Sequence, residues 1–201
     1  KIFIGFGFLE MYSKSYIEAS DYLEYGLNNF EVIFPENILD IADVMGALAT
    51  CCYHTSDTKK AKDWFQEAIK KREEFTDGNQ ENYKLLIKEY TCLGLCYKKL
   101  NDLESAYFCF ENSIALSSKH FLNIKLPDVA IAHAGIACIY EKQGEYGNAI
   151  NEQSIALKIM KALLPEGHPH LVPYLKVIGG YYERQGCIDE SNFNRQMANE
   201  I

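Results

Sequence analysis

The sequence has 201 residues, of which 48% are apolar and 24% charged, and these proportions are ordinary for a folded protein and argue against intrinsic disorder. Lys and Arg number 20 against 28 Asp and Glu, which gives a formal net charge of −8. A nucleic-acid-binding domain is not expected, because neutralising phosphates requires a surplus of cations. Membrane insertion is not expected either, since no run approaches the roughly 18 apolar residues of a spanning helix.

The seven cysteines are an odd number and lie mostly in apolar, helix-like stretches. This distribution predicts reduced thiols in the cytoplasm rather than a disulfide framework. The chain begins at Lys1 without Met, and its first stretch, KIFIGFGFLEM, lacks the pattern of a signal peptide. Its last residues, NFNRQMANEI, stop inside a helical pattern. We therefore expect a fragment of a longer protein.

Taken in chain order, five segments align with one another. Each predicts a first helix, a short polar turn and a second helix. A small residue on each first helix recurs at intervals of 42, 45, 43 and 42: Gly7, Ala49, Gly94, Ala137 and Gly179. A second small residue recurs near the start of each second helix: Ala19, Ala61, Ala106, Ala149 and Ser191. The predicted repeats span residues 1–34, 35–78, 79–124, 125–166 and 167–201.

The spacing has a simple physical interpretation. A small side chain lets the partner helix approach closely, and a large residue three positions later, such as Tyr97 or Tyr140, fills the remaining space. Repeated helix pairs bury their faces on their neighbours and share one continuous core. The pattern therefore predicts an all-α array of about five helix–turn–helix units in a single domain, residues 1–201.

This pattern resembles the tetratricopeptide repeat (TPR), whose usual length is about 34 residues. The longer period is similar to that of kinesin light chain and its relatives. The segment LPEGHPHL carries the most specific likeness, because the family joins repeats through Gly-x-His-Pro, here Gly167, His168 and Pro169. The resemblance implies a right-handed α-solenoid that binds proteins or peptides in a concave groove.

The sequence departs from kinesin light chain at the groove. Where that family carries paired Asn residues in a Leu-Asn-Asn-Leu-Ala context, this chain has HAGIA, with Ala134 and Gly135. The Lys/Asn set by which some TPR domains clamp a carboxylate is also missing. Recognition of motor cargo therefore does not carry over, even where the scaffold does.

No motif in the sequence predicts a catalytic, cofactor or metal site. A zinc site needs four converging ligands, and Cys92, Cys96, His133 and Cys138 lack the CxxC spacing that favours one. Cys in such stretches acts as a small hydrophobe. The sequence also lacks a Gly-x-Ser-x-Gly elbow, a phosphate-binding loop and a complete dinucleotide fingerprint. We therefore expect a protein that is not an enzyme.

The resemblance implies that first helices line the groove and second helices form the convex side. The repeat register places these candidate peptide-binding residues in the groove: Phe8, Tyr12, Tyr53, His54, Lys88, Lys98, Lys99, Lys142, Lys176 and Arg184. It also places Lys1, Asp43, Gly46 and Thr50 there. The second-helix run TKKAKDWFQEAIKKREE, which contains Arg72, mixes both signs of charge and predicts a solvated convex face.

Charge along the chain suggests a partner. Residues 1–57 hold 2 basic and 9 acidic groups, whereas residues 58–201 hold 18 and 19. Because the groove positions of the later repeats are mainly basic, we expect an acidic peptide anchored on Phe8, Tyr12 or Tyr53. The alternative is that these lysines only keep exposed helix faces soluble.

Four functional hypotheses remain open from the sequence. The first is a non-enzymatic scaffold or adaptor that binds a protein or peptide. The second is a regulatory array attached to a catalytic domain elsewhere in the parent chain, and the third is a peptide-sensing regulator. The fourth is self-association through apolar residues of the first helix, Ile2, Phe3, Phe6 and Leu9.

Overall fold

The computed structural model describes residues 2–75, 78–122 and 124–201. Lys1, which the register places in the groove, lies outside the described residues. Within them the chain forms ten α-helices and one 3₁₀ turn, without strands. The chain divides into two compact units, Lys1–Asp102 and Leu103–Ile201. None of the described helices is long and apolar enough to cross a membrane.

Unit 1 holds the first five helices. These are α1 (Ile2–Tyr12), α2 (Tyr16–Ile33), α3 (Ile38–His54), α4 (Thr58–Glu74) and α5 (Gln80–Lys99). Each helix packs against the next one in the chain, and α3 also contacts α1 and α5. The helices α1, α3 and α5 are therefore neighbours within this unit.

Unit 2 holds the remaining helices. These are α6 (Leu103–His120), α7 (Pro127–Gln143), α8 (Tyr146–Leu163), α9 (Val172–Gln185) and α10 (Ile188–Asn199), with a 3₁₀ turn at Pro169–Leu171. Again each α-helix packs against the next. Pro127 opens α7, whereas Pro169 opens the 3₁₀ turn and α9 begins three residues later.

The small residues of the repeat pattern lie where helices touch. Those on the first and second helices of all five predicted repeats are buried. A Cβ atom added at Gly7 would lie 2.5 Å from Cγ of Leu23, and one at Gly135 would lie 2.4 Å from Cζ of Phe110. Because neither gap can hold a methyl group, these glycines set the closeness of the helix pairs.

Local signals explain where several helices start and stop. The Asp57 carboxylate accepts from the backbone N–H of Lys60 and caps α4, and Asn79 caps α5 through the N–H of Glu81. The helices α7 and α9 end at Gly144 and Gly186, whose φ angles are 78° and 89°. Glycine adopts this left-handed conformation without the strain of a side chain.

The charged run on α4 is only partly the solvated face that the sequence predicts. Lys59, Lys60 and Lys70 are exposed, but Arg72 is 2% exposed and lies inside unit 1. The prediction is therefore wrong for Arg72. It continues the row of buried α4 residues that starts at Ala61 and Phe65, because residues separated by seven positions share one helix face.

Candidate functional site

The face shared by α1, α3 and α5 in unit 1 contains two adjoining cavities. The first has a volume of about 270 Å³ and is lined by Ile4, Phe8, Phe30, Asp40, Asp43 and Val44. The second has a volume of about 260 Å³, and its lining includes the apolar residues Phe8, Met11, Ala47 and Leu85 together with Thr50. Phe8 and Asp43 belong to both. We call the two cavities together the α1/α3/α5 groove.

A network of charged side chains forms the floor of the second cavity. The Nε of Arg72 donates to Oε2 of Glu89 at 2.9 Å, and one terminal nitrogen donates to Oε1 of Glu89 at 2.8 Å. That same nitrogen donates to Oδ1 of Asp43 at 2.8 Å. The other terminal nitrogen donates to Oδ1 of Asn82 at 2.9 Å. Arg72 therefore ties α4 to α3 and α5.

Burial makes this network energetically demanding. Arg72 is 2% exposed and Glu89 is 5% exposed, whereas the Asp43 side chain is 45% exposed. Burial raises the pKa of Glu89, while the paired guanidinium of Arg72 opposes the shift. Burial disfavours the charge on Arg72, yet hydrogen bonds and charge from Glu89 and Asp43 raise its pKa. The network therefore holds its charges by close pairing rather than by hydration.

Gly46 on α3 makes room for this network. A Cβ atom at Gly46 would lie 2.9 Å from Oε1 of Glu89. Glycine in the interior of a helix costs stability relative to alanine by about 0.5–1 kcal/mol. The close approach of the Glu89 carboxylate is the physical reason for glycine at this position.

Aromatic and cationic side chains meet near the C-terminal ends of α3 and α5. The His54 ring stacks on Tyr16, with ring centroids 4.2 Å apart and planes inclined by 11°. Tyr53 meets His54 edge-on at 6.0 Å. The Nζ of Lys99 lies 5.1 Å from the centroid of the Tyr53 ring, a cation–π distance. Three of the predicted groove residues therefore contact one another here.

In unit 2, α7 and α9 meet through one carboxylate. Glu141 forms an ion pair with Arg184 and accepts a hydrogen bond from the Tyr181 hydroxyl at 3.3 Å. Burial and the neighbouring Cys138 and Glu141 raise the pKa of Tyr181. Lys142 and Lys176 are exposed on the same two helices. Arg184, one of the predicted groove cations, therefore has a carboxylate partner.

The predicted site residues are distributed over both units. In unit 1, Phe8 and Lys88 line the second cavity, and Tyr53, His54 and Lys99 form the aromatic cluster. Tyr12 is 88% exposed beyond the cavity linings, and Lys98 is half-buried on α5. Their role in binding stays a prediction.

Sequence reasoning missed Arg72 and Glu89, which line the second cavity, and Asn82, which pairs with Arg72. A signal was present in the spacing of Asn82 and Glu89, which lie seven positions apart and so share one face of α5. The other signal was Gly46 inside an otherwise regular helix. The hydrogen-bond partners of a buried arginine depend on contacts between helices. The spacing of residues along the sequence does not specify these contacts.

The potential metal ligands and nucleophiles among the described residues include His, Cys, Asp and Glu side chains. In the parts of the chain that the structure describes, His, Cys, Asp and Glu form no group of three or more able to hold a metal. All seven cysteines are free thiols, and four of them are buried. Burial and the neighbouring Cys52 raise the pKa of Cys51 to about 11, which makes it a poor nucleophile.

Comparison with known proteins places this arrangement among TPR folds. A tetratricopeptide repeat family model matches residues 90–120. A comparison with curated proteins found no match. The apo form of RapI is 18% identical with a TM-score of 0.79, and the alignment covers 99% of this chain and 53% of that one. This chain thus spans about half the length of RapI.

Two further solved structures share the fold. The TPR-like repeats of a kinesin-light-chain-type protein from Podosopora anserina are 12% identical, with a TM-score of 0.74 and coverage of 98% and 92%. The Rap conjugation gene regulator of plasmid pLS20, in complex with the Phr* peptide, is 12% identical, with a TM-score of 0.69 and coverage of 96% and 50%. The all-α helical-hairpin fold predicted from the sequence is confirmed. Residues 90–120 match the tetratricopeptide repeat, and the chain as a whole shares the fold of solved tetratricopeptide repeat arrays.

Proposed function

We propose that the chain is a non-enzymatic interaction module that binds a segment of a partner protein in the α1/α3/α5 groove. The observation that carries this proposal is the pair of adjoining cavities on one face of unit 1, with apolar walls and a charged floor. Binding sites combine apolar contact area with a few oriented polar groups in this way. The peptide held by the pLS20 regulator, which has the same fold, supports the proposal.

The groove is suited to a peptide because its polar groups are held in place before binding. Arg72 fixes Asp43 and Glu89 through hydrogen bonds of 2.8–2.9 Å, so these carboxylates lose little freedom when a ligand arrives. Phe8 and Met11 are half-buried and supply apolar surface beside them. Preorganised polar groups lower the cost of association.

An acidic partner is the finer part of the proposal. Lys98 on α5, and Lys142 and Lys176 in unit 2, are the cations that would attract acidic residues. Lys98 would attract acidic residues to unit 1, and Lys142 and Lys176 would attract them to unit 2. The seven free thiols support a reducing compartment, which we propose to be the cytoplasm.

A peptide-sensing regulator is the second candidate function. The observation that favours it is the likeness to RapI and to the pLS20 regulator, each about twice as long as this chain. In this version the array would transmit peptide binding to another part of a longer chain. Compaction of the parent protein on peptide addition, measured by solution scattering, would favour this candidate over a passive adaptor.

The test is a display screen of proteome-derived peptides against the chain. The screen is repeated with Lys98→Glu/Lys176→Glu and with Lys59→Glu/Lys119→Glu, a control that makes the same charge change at exposed second-helix positions. We expect acidic peptides that bind the wild type and the control but not the first variant. Equal binding to all three proteins would contradict the acidic-partner proposal, and a screen without binders would contradict the interaction module itself.

A further inference from the structure

We propose that the first cavity of the α1/α3/α5 groove accepts a lysine or arginine side chain of the partner segment. This inference rests on the proposed function and specifies the ligand chemistry of one part of the groove. The first cavity would thus bind a basic side chain, whereas Lys98 on α5 would attract an acidic one. The partner would therefore present a basic residue to α1 and α3.

The lining of the cavity combines two features that a long basic side chain needs. Ile4, Phe8 and Val44 provide apolar walls that can pack against its methylene stem. Asp40 and Asp43 are the charged residues of the lining, one turn apart on α3, and both are exposed. Carboxylates at that spacing share one helix face and can accept from a single cationic head group.

The Asp43 carboxylate is oriented by the network below it. Its Oδ1 accepts from Arg72 at 2.8 Å, while 45% of the side chain remains exposed towards the groove. Arg72 does not make this region positive, because Glu89 accepts two of its hydrogen bonds. The charged residues that line the two cavities are Asp40, Asp43 and Glu89 against Arg72 and Lys88, which leaves one net negative charge. Lys88 lines only the second cavity, on the side of α5.

The surrounding charge favours the same ligand. Residues 1–57, which form α1, α2, α3 and their turns, hold 9 acidic and 2 basic groups. An excess of one sign around a cleft raises the local concentration and the association rate of ligands of the opposite sign. Charge complementarity therefore favours a basic side chain in the first cavity. The apolar walls favour a peptide in which apolar residues stand next to that basic residue.

A random 12-residue peptide display library tests the inference on three versions of the chain. These are the wild type, Asp40→Asn/Asp43→Asn, and the control Asp21→Asn/Glu24→Gln, which changes the net charge equally on exposed positions of α2. We expect peptides enriched in Lys or Arg beside apolar residues. Their dissociation constants, measured by fluorescence anisotropy, should rise about tenfold in the first variant and less than about twofold in the control.

The single variant Asp40→Asn is a control for loss of folding, because Asp40 is exposed and accepts a 3.3 Å hydrogen bond from Asn37, whereas Asp43 accepts from the buried Arg72. The single variant should weaken basic peptides in the same direction. Peptides that lack enrichment in Lys and Arg, or that bind all variants equally, would overturn the inference. If such peptides still require the groove, as shown by loss of binding to Thr50→Arg, the proposed function stands. A library without any binder would overturn both.

Discussion

Replacing Arg72 by methionine should strongly destabilise unit 1. The substitution keeps most of the packed stem but removes the guanidinium, which makes four hydrogen bonds. Glu89, 5% exposed, is then a buried carboxylate without its counter-charge, a loss of about 3–5 kcal/mol. The Asn82 carbonyl also loses its donor, which costs about 1–3 kcal/mol. Asp43 is exposed and rehydrates, so it adds about 1 kcal/mol at most.

The expected loss therefore approaches the whole stability of a typical domain, about 5–15 kcal/mol. Urea unfolding followed by the fluorescence of Trp64 measures it, because this is the only tryptophan of the sequence and packs against the core of unit 1. The double variant Arg72→Met/Glu89→Leu removes both buried charges and should be more stable than Arg72→Met by about 2 kcal/mol or more. A cost below about 1 kcal/mol for Arg72→Met, or a double variant less stable than Arg72→Met, would show that Arg72 does not stabilise the buried charge of Glu89.

Three further predictions concern packing, pH and thiol reactivity. Gly135→Ala places a Cβ 2.4 Å from the Phe110 ring and should cost about 1–3 kcal/mol. A Cβ at Gly180 meets nothing within 4 Å, so Gly180→Ala should stabilise the protein by about 0.5–1 kcal/mol. Equal unfolding temperatures of Gly135→Ala and Gly180→Ala, measured by circular dichroism, would contradict this difference in packing. Because burial raises the pKa of Glu89, the folded protein binds more protons than the unfolded one between the two pKa values. The free energy of unfolding of the wild type relative to Glu89→Gln should therefore rise as the pH falls from 7 towards 4.5, and a constant difference would be evidence against it. Cys51, with a pKa of about 11, should be alkylated by iodoacetamide at pH 8 far more slowly than the half-buried Cys187, and equal rates by mass spectrometry would exclude this environment.

The fold could be predicted from the sequence because it depends on short-range regularities. Small residues such as Ala49, Ala61 and Ala137 recur in a fixed register, and close helix packing requires them there. The same register continues on α4, where Phe65 follows Ala61 by four positions and is buried, while Trp64 packs against the core. Repeat proteins reveal their architecture in this way because each unit contacts mainly its neighbours in sequence.

The floor of the groove could not be predicted from the same signals. The mixed charges around Arg72 indicate a solvated helix face, and only the buried row that includes Phe65 shows that this arginine points inward. Its partners Asp43 and Glu89 lie on two other helices, at sequence separations of 29 and 17. Such pairings depend on the rotation of each helix about its axis, which composition and spacing leave open.

The polarity of the groove is a second point at which structure adds to sequence. Counting charges by repeat predicted a basic surface that attracts acidic peptides. The cavity beside α1 instead brings Asp40 and Asp43 together with apolar walls, and Arg184 in unit 2 already pairs with Glu141. The two halves of the proposal therefore assign opposite charges to different parts of the partner, which mutations in the two places can separate.

The central claim, that the α1/α3/α5 groove binds a partner segment, is tested most directly by filling the groove. Thr50→Arg inserts a long side chain into the second cavity, and Asn28→Arg adds the same residue at an exposed position of α2. Fluorescence anisotropy with a peptide selected by display compares both variants with the wild type. We expect a dissociation constant at least about tenfold higher for Thr50→Arg and little change for Asn28→Arg. Equal affinity of all three proteins for the peptide would contradict the claim.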